Sequence, residues 1–249
     1  MEDFRLFPKI DAHSHIGSWG PPFNYDIGEK ELIALMDTWN IEKTVLIAAG
    51  SQENDKTLQA ARAYPDRIIP VVWVDCSQGQ PAYDMVEHYL RDEHFAGVKI
   101  QSLFDGYAAD APCVDPVLEL CKQYKVPFFA HSGHEPFSLP WQIGLLAERH
   151  PDVPVVMLHM GHGHGIYVEA TLTMAKRYPN IYLETSGTSM SRQIYNAYRD
   201  VGSDRVLFGL DAPFHEPSVE IQKVGACGVD EAGLRKMFYE NAAALLGLK

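Results

Sequence analysis

The chain has 249 residues, 46% of them hydrophobic and 22% charged, with a formal net charge of −12. This is ordinary globular composition on a length that affords a sizeable core, and the acidic balance argues against wrapping a phosphate backbone. No window approaches the ~20 apolar residues that span a bilayer, so neither nucleic acid nor a membrane is expected as a partner.

The opening "MEDFRLFPKI" is too charged, and its apolar run too short, for a secretory leader. Cys76, Cys113, Cys121 and Cys227 are spread without C-x-x-C spacing, so no disulfide framework is expected. A reducing cytoplasm is the expected compartment.

In chain order the apolar runs are "KIDAH" (9–13), "KTVLIA" (43–48), "RIIPVVWV" (67–74), "FAGVKI" (95–100), "VPFFAH" (126–131), "VPVVMLH" (153–159), "NIYLET" (180–185) and "RVLFGLD" (205–211). Most are continuous in apolar character, as in parallel strands covered on both faces. Amphipathic segments separate them. "EKELIALMDTW" sets Leu32, Leu35, Met36 and Trp39 on one helical face. "DPVLELCKQY" is expected to start with Asp115 as N-cap and Pro116 at the first helical position. The last helix is expected to be capped by Asp230 and to stop at Gly247. With no linker along the chain, residues 1–249 read as one α/β domain. Its strand–helix alternation fits a TIM-type barrel, with an open doubly wound sheet as the competing architecture.

Polar residues close several of these runs. His13 and His15 stand two apart and share a face of an extended strand, and Lys99, His131, His159 and Asp211 end later strands. A buried ionisable group there has a desolvation cost unless it is paired or metal-bound. Imidazoles with a carboxylate suit zinc or a similar divalent ion, and such an ion lowers the pKa of bound water to near ~7. Asp211 is then placed to shuttle the proton. His88, His94 and His150, in helical or loop contexts, read as structural histidines.

The motifs "DAHSHIG", "GVKI", "FFAHSG", "VVMLHMGHG", "NIYLETSG", "VLFGLDAPF" and the closing "NAAALLGL" run through the whole chain. Together they resemble the amidohydrolase superfamily, in the amidohydrolase 2 branch related to aminocarboxymuconate-semialdehyde decarboxylase. The resemblance implies a (β/α)8 barrel with His13, His15, His131 and Asp211 holding one catalytic metal, expected to be zinc. It implies that His159 orients substrate or water. Lys99 falls where binuclear superfamily members carry a carboxylated lysine bridging a second metal. The chain departs from the branch in its shortness, in "QSLF" after strand four where many relatives have a His-Pro pair, and in Glu184 where an Asp is frequent. Glu184 is expected to be a hydrogen-bonded barrel residue.

Further residues fall on loops of the same rim. "HMGHGHG" supplies His162 and His164 among glycines that let backbone approach a ligand. His134, Glu135 and His215 follow the strand-five and strand-eight ligands, and Trp19, Phe23, Phe104, Trp141 and Phe214 suggest an aromatic pocket. Trp19, His134, His162 and Arg192 are the substrate-binding candidates, with Arg192 holding a substrate carboxylate.

The leading expectation is hydrolysis of an amide, ester or lactone bond in a small organic acid. Non-oxidative decarboxylation on the same scaffold is the alternative. Lys99 and the negative charge count against the metal-dependent nucleases that share the H-x-H start, and the intact ligand set counts against a silent binding protein. Self-association into a homo-oligomer is left open.

Overall fold

Apolar strands alternating with amphipathic helices bury both faces if helices cover a sheet that is open or closed on itself. In the structure, a computed structural model describing residues 4–162 and 165–248, the sheet is closed. Its strands are β1 (Lys9–Trp19), β2 (Tyr25–Ile27), β3 (Ile41–Ala48), β4 (Ile68–Pro70), β5 (Val72–Trp73), β6 (Val98–Ile100), β7 (Phe128–His131), β8 (Val155–Leu158), β9 (Ile181–Glu184) and β10 (Val206–Leu207). The pairs are parallel except β1 with β2.

Two ladders, β2-β1-β3-β4 and β5 through β10, meet at two seams. At the first, β4 and β5 are one extended run that changes partner after Pro70, which has no N–H to donate. Val71 N donates to Leu46 O at 3.0 Å, and Val72 N to Gly97 O at 3.1 Å. At the second, Ala12 N donates to Phe208 O (2.9 Å), Asp211 N to His13 O (2.7 Å) and His15 N to Ala212 O (2.8 Å). Asp11 reinforces this seam: its Oδ1 accepts from His13 N at 3.0 Å and from Leu210 N at 2.9 Å. The eight runs read from the sequence thus form the staves of a (β/α)8 barrel, with β2 outside the ring.

The helices are α1 (Glu29–Trp39), α2 (Asn54–Ala63), α3 (Gln80–Arg91), α4 (Ser102–Asp105), α5 (Asp115–Tyr124), α6 (Pro140–Arg149), α7 (Gly165–Arg177), α8 (Ser191–Asp200), α9 (Pro217–Gly225), α10 (Glu231–Arg235) and α11 (Asn241–Leu245). α1 and α5 cover the expected residues. At α5, however, a 3-10 turn precedes the helix, so Asp115 is not its N-cap. The Asp115 carboxylate instead pairs with Arg149 and His150, at 2.9 and 2.8 Å. Asp230 does cap α10, accepting from Gly233 N. A large core packs the helices on the barrel. A smaller cluster, including Ile10, Val45, Phe129 and Val156, fills the interior against Ala242 near the C-terminus.

Candidate active site

β1 does not alternate throughout. Its register against β3 slips between Asp11 and Ser14, and a bulge of this kind re-aims the side chains that follow it. Ile10 and Ala12 join the interior cluster, while beyond the slip His13 and His15 turn into the cavity, their Nε2 atoms 3.0 Å apart. His15 Nδ1 faces the carbonyl oxygens of Ile47 (3.1 Å) and Ala48 (3.3 Å). Carbonyls only accept, so Nδ1 carries the proton and the Nε2 lone pair points inward, a tautomer control typical of metal ligands.

His159 is set the same way. Its Nδ1 lies 3.2 Å from Ser186 O, which leaves the other nitrogen as the unprotonated one. Buried Glu184 organises this side, accepting from His159 N (3.1 Å), Ser186 N (2.5 Å) and Ser186 Oγ (2.8 Å). Glu184 is therefore the hydrogen-bonded barrel residue expected. Burial pushes its carboxyl up to about 8. Behind it, Glu220 on α9 accepts from Gly187 N at 3.2 Å and pairs with buried Lys223.

Lys99 Nζ reaches 3.2 Å from His13 Nε2 and 3.3 Å from His15 Nε2. Burial pulls its ammonium down to about 8, against the opposing pull of Asp211, Asp105 and Glu184. Burial likewise holds His13, His131 and His159 well below the ordinary imidazole range. These rings are neutral, the state in which imidazole binds metal. Asp211 Oδ1 stands 3.4 Å from His15 Nε2 and 3.6 Å from His13 Nδ1. Asp211 and His159 both adopt left-handed backbone, φ 52° and 67°. Each such conformation costs ~1–3 kcal/mol and is held where the surroundings over-determine it, often at functional sites.

The donor set fits a divalent cation. The ligand atoms of His13–His15–Asp211, of His13–His159–Glu184 and of His159–Asp211–His215 each lie within 4.8 Å of one another. His13 Nδ1 is buried with no hydrogen-bond partner. His131 borders these groups without joining one: its ring lies 4.8 Å from that of His159, and its Nε2 is 2.7 Å from His134 Nδ1.

Above this floor opens a cavity of about 490 Å³ that also takes in Trp19, His134, His162 and His215. β1 runs on past the expected residues 9–13 and folds back through β2, pairing Trp19 with Tyr25. Trp19, Phe23 and Tyr25 then pack around Phe214 with ring centres 5.1, 5.4 and 5.5 Å away. Phe104 lines the cavity as well.

Other expectations are corrected. Arg192 is exposed on α8, its guanidinium 4.7 Å from the Tyr195 ring centre, and is absent from the cavity lining. A helix start after the strand carried it outward. Trp141 packs on Tyr167 at 6.0 Å, and Glu135 hydrogen-bonds the same tyrosine. Gly161 of "HMGHGHG" serves loop against loop: a Cβ on Gly133 (φ 99°) would sit 2.3 Å from its backbone. His164 lies outside the described residues. Trp73 and Gln101, not among the site candidates read from the sequence, line the cavity. Trp73 was hidden inside an apolar run, whereas Gln101 was signalled by its place two residues past Lys99.

Gly209 provides a test of this shell. A Cβ there would meet Glu184 Oε1 at 2.2 Å, and Glu184 is pinned by three hydrogen bonds. Gly209→Ala is expected to cost about 2 kcal/mol by overpacking, lowering Tm by about 4–8 °C. An unchanged melting curve would show that Glu184 yields freely.

The sequence model of the amidohydrolase family matches residues 10–248. Gamma-resorcylate decarboxylase of a Rhizobium species is 22% identical over 260 residues, covering 81% of this chain and 77% of that protein. The crystal structure of 2,6-dihydroxybenzoate decarboxylase from Rhizobium superposes with a TM-score of 0.78 at 18% identity, covering 97% and 99% of the two chains. That of a dihydroxybenzoic acid decarboxylase from a Polaromonas species, with bound manganese and the inhibitor 2-nitroresorcinol, gives 0.77 at 17% identity, covering 97% of each. No helix among the described residues is long and apolar enough to cross a membrane. The decarboxylase relatives overturn the leading expectation of amide, ester or lactone hydrolysis; fold and metal donors are common to both chemistries, so the motifs did not separate them. With a matching model over nearly its full length and a barrel whose strand ends gather the motif histidines, the chain belongs to the amidohydrolase family.

Proposed function

We propose that this chain is a metal-dependent decarboxylase of a small hydroxylated aromatic acid. One observation carries the reading: a single cavity joins an aromatic wall to a floor of imidazoles and a carboxylate. The named activities of the relatives supply the substrate class. The reaction balances as loss of carbon dioxide. The bond between ring carbon and carboxylate breaks, its electron pair stays on the ring carbon, and a proton takes the vacated position.

His13, His15, His131 and Asp211 are the residues to hold one divalent cation, zinc or manganese, which when bound supplies Lewis acidity to substrate oxygens. Lys99, buried among the imidazoles, offers positive charge to the substrate carboxylate. Asp211 hands the proton to the ring carbon, and His215, with Nε2 3.6 Å from Asp211 Oδ2, offers a route for its return. His159 presents an inward lone pair to a substrate hydroxyl. Trp19, His134 and His162 contact the ring from the wall, and Arg192 has no substrate role. The scatter of Cys76, Cys113, Cys121 and Cys227 without C-x-x-C spacing supports a reducing cytoplasm as its compartment.

The direct test is carbon dioxide release from 2,6-dihydroxybenzoate by metal-loaded protein. Equimolar carbon dioxide and resorcinol are expected. No release from any of a panel of mono- and dihydroxybenzoates and 5-carboxyvanillate would overturn the reading. Metal analysis is expected to give about one ion per chain, with rates independent of bicarbonate. Two ions and bicarbonate-dependent rates would instead indicate a carboxylated Lys99 bridging a second cation.

A further inference from the structure

Gln101 directly follows β6, two residues beyond Lys99, and both residues line the cavity. It is 5% exposed and lines the cavity, yet its Oε1 is buried with no hydrogen-bond partner. Its neighbours are engaged. Trp73 Nε1 donates to Asp105 Oδ2 at 3.2 Å, and Lys99 Nζ lies 5.0 Å from the Trp73 ring centre. The Gln101 carbonyl accepts from Phe104 N (3.0 Å) and Asp105 N (3.1 Å). The residue is thus held by its backbone while its head group is unpaired.

A buried carboxamide oxygen without a donor is a standing cost, and most such groups in native proteins find a partner. Leu103 and Phe104, shortly after Gln101 in the chain, line the same cavity, as does Trp73 on β5, the strand paired with β6. A few polar heads in such a wall fix a ligand's orientation. The missing partner must donate to an oxygen. A carboxylate only accepts, and Lys99 is the residue proposed for that group; a ring hydroxyl donates.

We propose that Gln101 is a specificity-determining residue that reads a ring hydroxyl of the substrate, selecting hydroxylated aromatic acids over unsubstituted ones. The substrate named rests on the decarboxylase reading, but the test does not. 2-Nitroresorcinol, an inhibitor bound in the Polaromonas relative, has two hydroxyls and no carboxylate to lose. Its binding to metal-loaded protein is compared with that of nitrobenzene through quenching of the tryptophans at the cavity, Trp19 and Trp73.

The native chain is expected to prefer 2-nitroresorcinol. Gln101→Met, close in shape, should cut that preference about tenfold by weakening only the hydroxylated ligand. Gln101→Asn, which withdraws the amide by one methylene, should cut it as well and keeps the test open if the Met variant does not fold. An unchanged preference in the folded variants overturns the proposal. Equal weakening of both ligands also overturns it, making Gln101 a packing residue, as does a native chain without preference. Carbon dioxide release is scored separately. A Gln101-dependent preference with no turnover of any hydroxybenzoate would sink the decarboxylase reading and leave this one standing.

Discussion

The His13→Ala/His15→Ala double variant is expected to lose its metal, from about one ion per chain to a trace, and to fall in carbon dioxide release on the order of 10³-fold or more. The two Nε2 atoms face each other at 3.0 Å with Asp211 Oδ1 3.4 Å from His15 Nε2. The carbonyls of Ile47 and Ala48 orient His15 from behind. Of the four proposed ligands, removing both rings leaves His131 and Asp211, too few by themselves to fill a four-coordinate site. Circular dichroism should stay native, since the β1 backbone bonds to Phe208 and Ala212 do not use these side chains. Treatment of the native chain with a chelator should reproduce the loss, and added zinc or manganese should reverse it. Full metal content in the double variant would remove these residues from the site.

Asp211→Asn is expected to lower kcat on the order of 10³-fold while 2-nitroresorcinol still binds within about threefold of native. The substitution is chosen for its backbone. Asp211 sits at φ 52°, where Asn is among the few residues that rest without large strain, so fold and shape are kept while the transferable proton is lost. Its weakened hold on the metal is controlled by assaying at saturating ion. A kcat within fivefold of native would assign the proton to another group, and His215 would be next to test.

The strand ends were legible in the sequence because parallel strands place all their C-terminal ends on one rim. That is why His13, His15, Lys99, His131, His159 and Asp211, 198 positions apart at the extremes, line one cavity. The outward direction of Arg192 is not legible in the sequence, because nothing in linear spacing shows which way the first turn of α8 points. The extension of β1 to Trp19 was missed because its return partner, β2, is only three residues long. Hydrolysis and decarboxylation are not separable from the motifs, because shared ligands carry no information about the bond being broken.

By itself the sequence determined the alternation of strands and helices, the rim on which chemistry collects and the kind of atom available to a metal, since periodicity and residue type are local properties. Closure of the ring through Asp11 and Leu210, the slip in β1 that turns His13 and His15 inward and the unpaired Gln101 were decided only by tertiary structure. Each depends on where a distant backbone lies, and hydrogen-bond satisfaction and burial are settled only when those segments meet.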